Sequence, residues 1–313
     1  MIQSNKDSLI LVLYSSIFLI VLETIILNIS HQFFLVFNSL PLLIIGQFLK
    51  INLYLITLII SNIIFFVITF SDYFVIEKNL SINFYLNYAF VSFLVFCFFF
   101  ICNFISKKEN SADKILWVFT ILVQIFSILL IYFYFSSIDY SSIQSYLAEL
   151  SRNLVKENNQ VLTTKSIEEI IKVIPSINAL IFLTTLMVNQ KIAVLINRKL
   201  ELGNKYILNF GNYVLPKWFF LIFFALSLSS ILVENNSQTY LINSLIILSF
   251  VFLFNGFIKF YKSFDRFNLN GYVKFLIIFL LFIFLGYVLI LIIFFLGFYT
   301  TFKNCFIKNS ENI

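Results

Sequence analysis

Residues 82–105 read INFYLNYAFVSFLVFCFFFICNFI, twenty-four positions without a charged side chain. At about 1.5 Å per residue a helix of this length exceeds the roughly 30 Å hydrocarbon core of a bilayer. No soluble domain needs such a run, so it decides the fold class. Eight further apolar runs flank it, at roughly 8–28, 32–48, 51–70, 115–135, 176–197, 217–233, 239–260 and 272–300. The expected architecture is all-α: a polytopic transmembrane helix bundle of about nine membrane segments. It reads as a single integral membrane domain over 1–313, with an amphipathic helical loop at 136–174 between segments 5 and 6.

The composition agrees. Of 313 residues, 61% are hydrophobic and 12% charged, against about 25% charged in an average soluble domain. So few charges cannot cover a soluble globule of this size, and so much apolar side chain excludes a disordered chain. The 43 Phe match the bias of an AT-rich genome, so single Phe residues carry little functional meaning.

Two of the nine segments are irregular. The second is short and contains Asn38 and Pro41. Proline inside a helix removes a backbone donor, which predicts a break or kink within 36–42, with the freed carbonyls turned to protein or water. The ninth is long enough to be one tilted helix, or to break near Gly286 into two short ones.

The net charge is +6, but the bases lie between apolar runs and set orientation rather than bind nucleic acid. With nine crossings, Lys6, Lys50, Lys107, Lys108, Lys114, Arg198, Lys199, Lys205, Lys217, Lys259, Lys262, Arg266 and Lys274 share one side. That side is expected to be cytoplasmic, which puts the N-terminus inside and 136–174 outside. The location is then the bacterial inner (cytoplasmic) membrane. A break in the ninth segment would return the tail to the cytoplasm. No cleavable signal is expected, because the first apolar run is long, contains Glu23 and has no small-residue cleavage site behind it.

The 136–174 loop has Ile143, Tyr146, Leu147, Leu150 and Leu154 at helical spacing. Ser166 and Glu169 have capping-box spacing, which predicts a second short helix there, with Pro175 in the first turn of the next span. The loop is open to two readings, simple interfacial packing or a lid over a cavity.

Chemical motifs are missing. There is no P-loop, HExxH, GxSxG or GxGxxG, and His31 stands alone. Three Cys make no disulfide framework. No enzyme activity, cofactor or metal site is expected. What remains is polar side chains inside apolar runs, which normally face a bundle interior or a wet cavity. Glu23 lines a polar cavity, is a buried protonated acid, or is an interfacial carboxylate. Thr185 and Asn189 share a helix face, and Asn189 is open between helix–helix bonding and ligand contact. Lys191 is expected to snorkel. Asn255 resembles Asn189, and the adjacent Gly256 permits close helix approach.

These landmarks also carry a family resemblance. Leu40-Pro41-Leu42 with Gly46, then Ile174-Pro175, then Asn189, Ala193 and Arg198, then Leu215-Pro216-Lys217-Trp218, then Asn255-Gly256, occur in the order found in the YybS-like group. That group (domain of unknown function 2232) comprises bacterial predicted membrane proteins, and the resemblance runs from about 39 to 300. Gln190-Lys191 departs from the family's Leu-Trp, and Lys303 and Lys308 replace its Arg-rich end. The group is distantly similar to the S components of energy-coupling-factor transporters. That implies a helix bundle binding a small molecule under loops beside a coupling protein. The small-xxx-small seam of such contacts is absent here.

Two functions follow as expectations. One is a transporter-like or small-solute-binding membrane subunit, with Glu23, Asn38, Thr185, Asn189 and Asn255 as candidate binding residues between segments 1, 2, 6 and 8. In that reading Pro41, Arg198, Pro216, Trp218 and Gly256 are structural. The other is an assembly or structural factor with no solute. Partners are the lipid bilayer and, for the first reading, other membrane subunits and a small-molecule ligand; no nucleic acid is expected.

Overall fold

The computed structural model describes residues 5–29, 36–70, 78–106, 112–137, 164–202, 215–233 and 236–307. Every regular element among them is helical: α1 Asn5–Ile29, α2 Ser39–Phe48, α3 Ile51–Phe70, α4 Lys78–Ser106, α5 Ala112–Ser137, α6 Thr164–Lys199, α7 Lys217–Leu232, α8 Asn236–Ser263, α9 Gly271–Leu285 and α10 Tyr287–Phe302. Positions 138–163 of the 136–174 loop, where the first amphipathic helix was expected, lie outside the described residues.

The helices are inverted relative to those of a soluble protein. In α1 the inward face carries Val12, Ser15, Ser16, Leu19 and Glu23, while Leu9, Leu13, Ile17, Val21 and Ile25 are exposed. In α3, Tyr54, Thr57, Ser61 and Phe65 are buried, and Leu55, Ile59, Ile63 and Val67 are exposed. Water would not tolerate continuous apolar stripes of this size. Lipid demands them, and drives polar side chains inward to find partners.

Among the described residues, five helices are long and apolar enough to cross a membrane, within Asp7–Ile26, Ile51–Ile68, Tyr85–Ile105, Lys172–Lys199 and Ser237–Phe267. The pair α9 and α10 makes a sixth if counted as one broken span. The nine runs of the sequence all fall on helices, but these lengths do not confirm nine full spans. Ser39–Phe48 and Lys217–Leu232 are shorter apolar helices, and Lys114–Leu129 is an apolar stretch within the 26-residue α5.

The second segment falls short because the chain turns at Asn38 and again at Leu49-Lys50. That leaves α2 only ten residues, about 15 Å. Eight of those ten are buried, Pro41 and Gly46 among them, so α2 lies within protein rather than against lipid. The expected break within 36–42 is found at Asn38. The ninth segment breaks at Gly286, where the two helices meet at 117°. Gly286 has φ +48° and ψ −123°, open essentially only to glycine.

Pro175 differs from expectation. It does not open a new helix but lies inside the 36-residue α6, and the helix already runs from Thr164, so Ser166 is not its start. The physical reason is a side chain from α8. A regular helix would bond the Ser176 N–H to the Lys172 carbonyl. Here Asn243 Oδ1 accepts from Ser176 N–H at 3.1 Å, and Asn243 Nδ2 donates to Lys172 O at 2.8 Å. The amide bridges the interrupted turn and lets the helix continue through proline.

An Asn243→Leu protein should therefore lose roughly 1–3 kcal/mol for each group left unpaired. Adding Pro175→Ala should restore part of it, because the ladder can then close on itself. Thermal unfolding of both variants tests this; no rescue would mean that Asn243 does not act through the interrupted turn.

The helices gather into two compact units, Met1–Ile115 with Phe182–Asn209, and Leu116–Ile181 with Phe210–Ile313. In the first, α2 packs on α4, and Gly46 leaves room for the ring of Phe99. In the second, α7, α8 and α10 close around Phe219, Phe220, Phe223, Phe252, Phe294 and Phe298. Gly256 and Gly297 bring the backbones of α8 and α10 together. A Cβ on Gly256 would meet the Ile293 carbonyl, and one on Gly297 the Phe252 carbonyl.

Candidate functional site

Two groups of buried polar side chains occupy the first unit. The first ties down the break before α2. Asn189 on α6 is 1% exposed. Its Nδ2 donates to Val36 O at 2.9 Å and to Ser39 Oγ at 2.8 Å. Asn38 Nδ2 donates to Asn87 Oδ1 on α4 at 2.8 Å. One helical step on, Asn197 Nδ2 donates to Ile44 O at 2.9 Å, and Tyr54 Oη to Leu42 O at 3.1 Å. A ten-residue helix is weak alone, and it gains from bonds to neighbouring segments. These amides and the phenol supply them.

The second group centres on Glu23. It is 0% exposed, and neither carboxyl oxygen has a hydrogen-bond partner. Tyr54 and Tyr88 lie within electrostatic reach of it. A phenol has one O–H to give. That of Tyr54 goes to Leu42 O, and that of Tyr88 to Ser61 Oγ at 3.3 Å. Neither serves Glu23. Asn62, next to Ser61 on α3, gives its Nδ2 to Leu58 O at 2.9 Å and keeps a buried Oδ1 unfilled. Ser92, beside Tyr88, is likewise buried without a partner for its hydroxyl, so the group holds several unfilled acceptors and one unused donor.

The other expected residues fall as follows. Thr185 is half-buried and donates to Phe182 O at 3.0 Å within its own helix, so it adds nothing to the Asn189 network. Lys191 and Arg198 are exposed. Asn255 belongs to the second unit, where it is 1% exposed and donates to Thr301 Oγ1 at 2.9 Å and Thr300 Oγ1 at 3.2 Å. Pro216 precedes α7 in an extended conformation, and Trp218 packs edge-on to Trp117 with centroids 5.0 Å apart. Sequence reasoning missed Tyr54, Tyr88, Asn87, Asn197 and Asn243. Polar side chains four and seven positions apart on α3 (Tyr54, Thr57, Ser61) signal a polar inward face, and so does Asn189 with Asn197 on α6.

No His, Cys, Asp and Glu gather in threes to hold a metal ion among the described residues. A buried acid and buried amides on helices with apolar outer faces fit an integral membrane protein. The match to a family described as "Predicted membrane protein (DUF2232)" covers residues 83–299, more than half of the chain. The chain belongs to this family. The Asn189, Pro216-Trp218 and Asn255-Gly256 landmarks lie inside the match, whereas Glu23 and Pro41 precede it. No curated protein and no solved structure matches the chain.

Because Asn189 bonds protein groups, its replacement reads out its structural share. Interhelical side-chain bonds in membranes average about 0.6 kcal/mol. Asn189→Leu should lower the melting temperature modestly and leave insertion intact. A drop as large as that of a core cavity, or none at all, would contradict this geometry.

Proposed function

We propose that the protein is a transporter-like membrane subunit that binds a small solute inside its first unit. The observation that carries this reading is Glu23. A fully buried carboxyl with both oxygens unpartnered is expensive, and a ligand that supplies the missing partner gives it a purpose. In this reading the chain catalyses no reaction and needs no cofactor. Native mass spectrometry of the full-length protein, purified in mild detergent, tests it. Wild type should release a solute that Glu23→Gln lacks. A bare wild-type spectrum would overturn it.

A second reading, an assembly or structural factor without solute, draws on the amides. Asn189, Asn197, Asn243 and Asn255 all bond protein groups on other segments, as helix-to-helix fasteners do.

In the solute-binding reading the protein resides in the bacterial inner membrane, the N-terminus is cytoplasmic and the apolar segments alternate in direction. The pairings within each unit support alternation. Asn189 meets residues 36–39 and Asn197 meets Ile44, so segments 2 and 6 run the same way. Asn38 meets Asn87 and Gly46 meets Phe99, so segment 4 runs with them. Tyr54 packs on Phe99 and Phe66 on Tyr85, so segment 3 opposes segment 4. In the second unit, Gln238 reaches Ser230 and Phe220 packs on Phe252, so segments 7 and 8 oppose each other. The Trp117–Trp218 pair brings the starts of segments 5 and 7 together, and tryptophan favours the membrane boundary. A single cysteine at position 158 should label from outside and one at position 110 should not; the reverse pattern would invert the orientation.

A further inference from the structure

We propose that Glu23 is the counter-ion for a singly charged cation bound inside the first unit, an inference that deepens the solute-binding reading and rests on it. The chemistry of the surroundings selects the charge. Both oxygens of Glu23 are acceptors, buried and unfilled, and among the described residues no Lys or Arg pairs with them. With neither oxygen bonded to a protein donor, a positive charge or a donor-bearing ligand restores what burial removes.

The neighbours sharpen this. Tyr54 and Tyr88, the ionisable side chains coupled to Glu23, have committed their single protons to Leu42 O and Ser61 Oγ. They therefore offer Glu23 no donor, and each phenol oxygen keeps a lone pair, which suits a cation. Phe65 packs against the Tyr88 ring with centroids 4.6 Å apart and helps fix its position. The buried Oδ1 of Asn62 is a further unfilled acceptor in the same unit.

The charge of the ligand is bounded by arithmetic. A divalent ion out of water takes six or more oxygen ligands, several of them carboxylates. The described residues contain no such cluster of acids. One carboxylate balances one positive charge. Two sources share this chemistry, a small organic ammonium and an alkali metal ion.

The test uses the full-length protein in lipid nanodiscs and follows its thermal unfolding. Methylammonium, tetramethylammonium, sodium and rubidium chlorides are compared at matched ionic strength with bulky N-methylglucamine chloride. Calcium chloride and N-methylglucamine formate complete the set. At least one monovalent cation should raise the melting temperature of wild type, and the alkali and ammonium arms then separate the two sources. Glu23→Gln should weaken that cation's apparent affinity at least tenfold, while Glu23→Asp, which keeps the charge on a shorter arm, should weaken it less. The Asp variant carries the comparison if the Gln variant does not fold. Silence of wild type to every monovalent cation, a response to calcium alone, or an equal response in Glu23→Gln would overturn the proposal. A response to formate alone, or a neutral solute in the native mass spectrum, would overturn it while leaving the solute-binding reading standing. An empty spectrum with silence throughout would remove both.

Discussion

A Gly256→Val protein should be less stable than wild type by about 3 kcal/mol or more, and should be recovered in the membrane at lower yield. At Gly256 the α8 backbone lies against the carbonyl of Ile293 on α10, and a Cβ would collide with backbone atoms that cannot rotate away. Overpacking a well-filled site typically costs 1–3 kcal/mol, and more where only backbone movement relieves it. Separating the helices would also pull Asn255 from Thr301, its hydrogen-bond acceptor at 2.9 Å. Gly271 serves as the control: a Cβ there meets only Tyr261 Oη, at 3.9 Å. Gly271→Ala should leave the melting temperature within experimental scatter. Equal effects at the two glycines would show that α8 and α10 do not meet as described.

Glu23→Met should act in the opposite sense. Methionine keeps the length of the side chain and removes the unpaired carboxyl, so the solute-free protein should gain about 1–3 kcal/mol. Natural proteins give up stability at functional sites, and an unpaired buried acid is one form this takes. Unfolding of solute-free wild type and variant reads the sign directly. Destabilisation would mean that the carboxyl is bonded to the protein, and the functional argument built on it would fall. In the same variant, solute retention should be lost.

The helical membrane class was legible because it depends on apolar run length alone, and 82–105 carries no charge. The breaks were legible where one residue causes them, at Asn38 before Pro41 and at Gly286. The number of full spans was not, because a run such as 32–48 has the composition of a span while turns at both ends reduce its helix to ten residues. Pro175 was misread for a related reason. The residue that rescues its helix, Asn243, lies 67 positions beyond Ser176 in the chain, and no local pattern announces it. Among the site residues, Glu23 and Asn189 stood out as polar groups in apolar runs. Their partners did not, since tyrosine and serine are common in this composition and only the packing decides which of them turn inward.

The account rests on an unfilled partner position at Glu23, and an experimental density map of the full-length protein, purified in mild detergent and placed in lipid, addresses it most directly. The account predicts non-protein density within hydrogen-bond distance of the Glu23 carboxyl, absent from the same map of Glu23→Gln. A carboxyl bonded to a protein side chain, with no foreign density beside it, would contradict it.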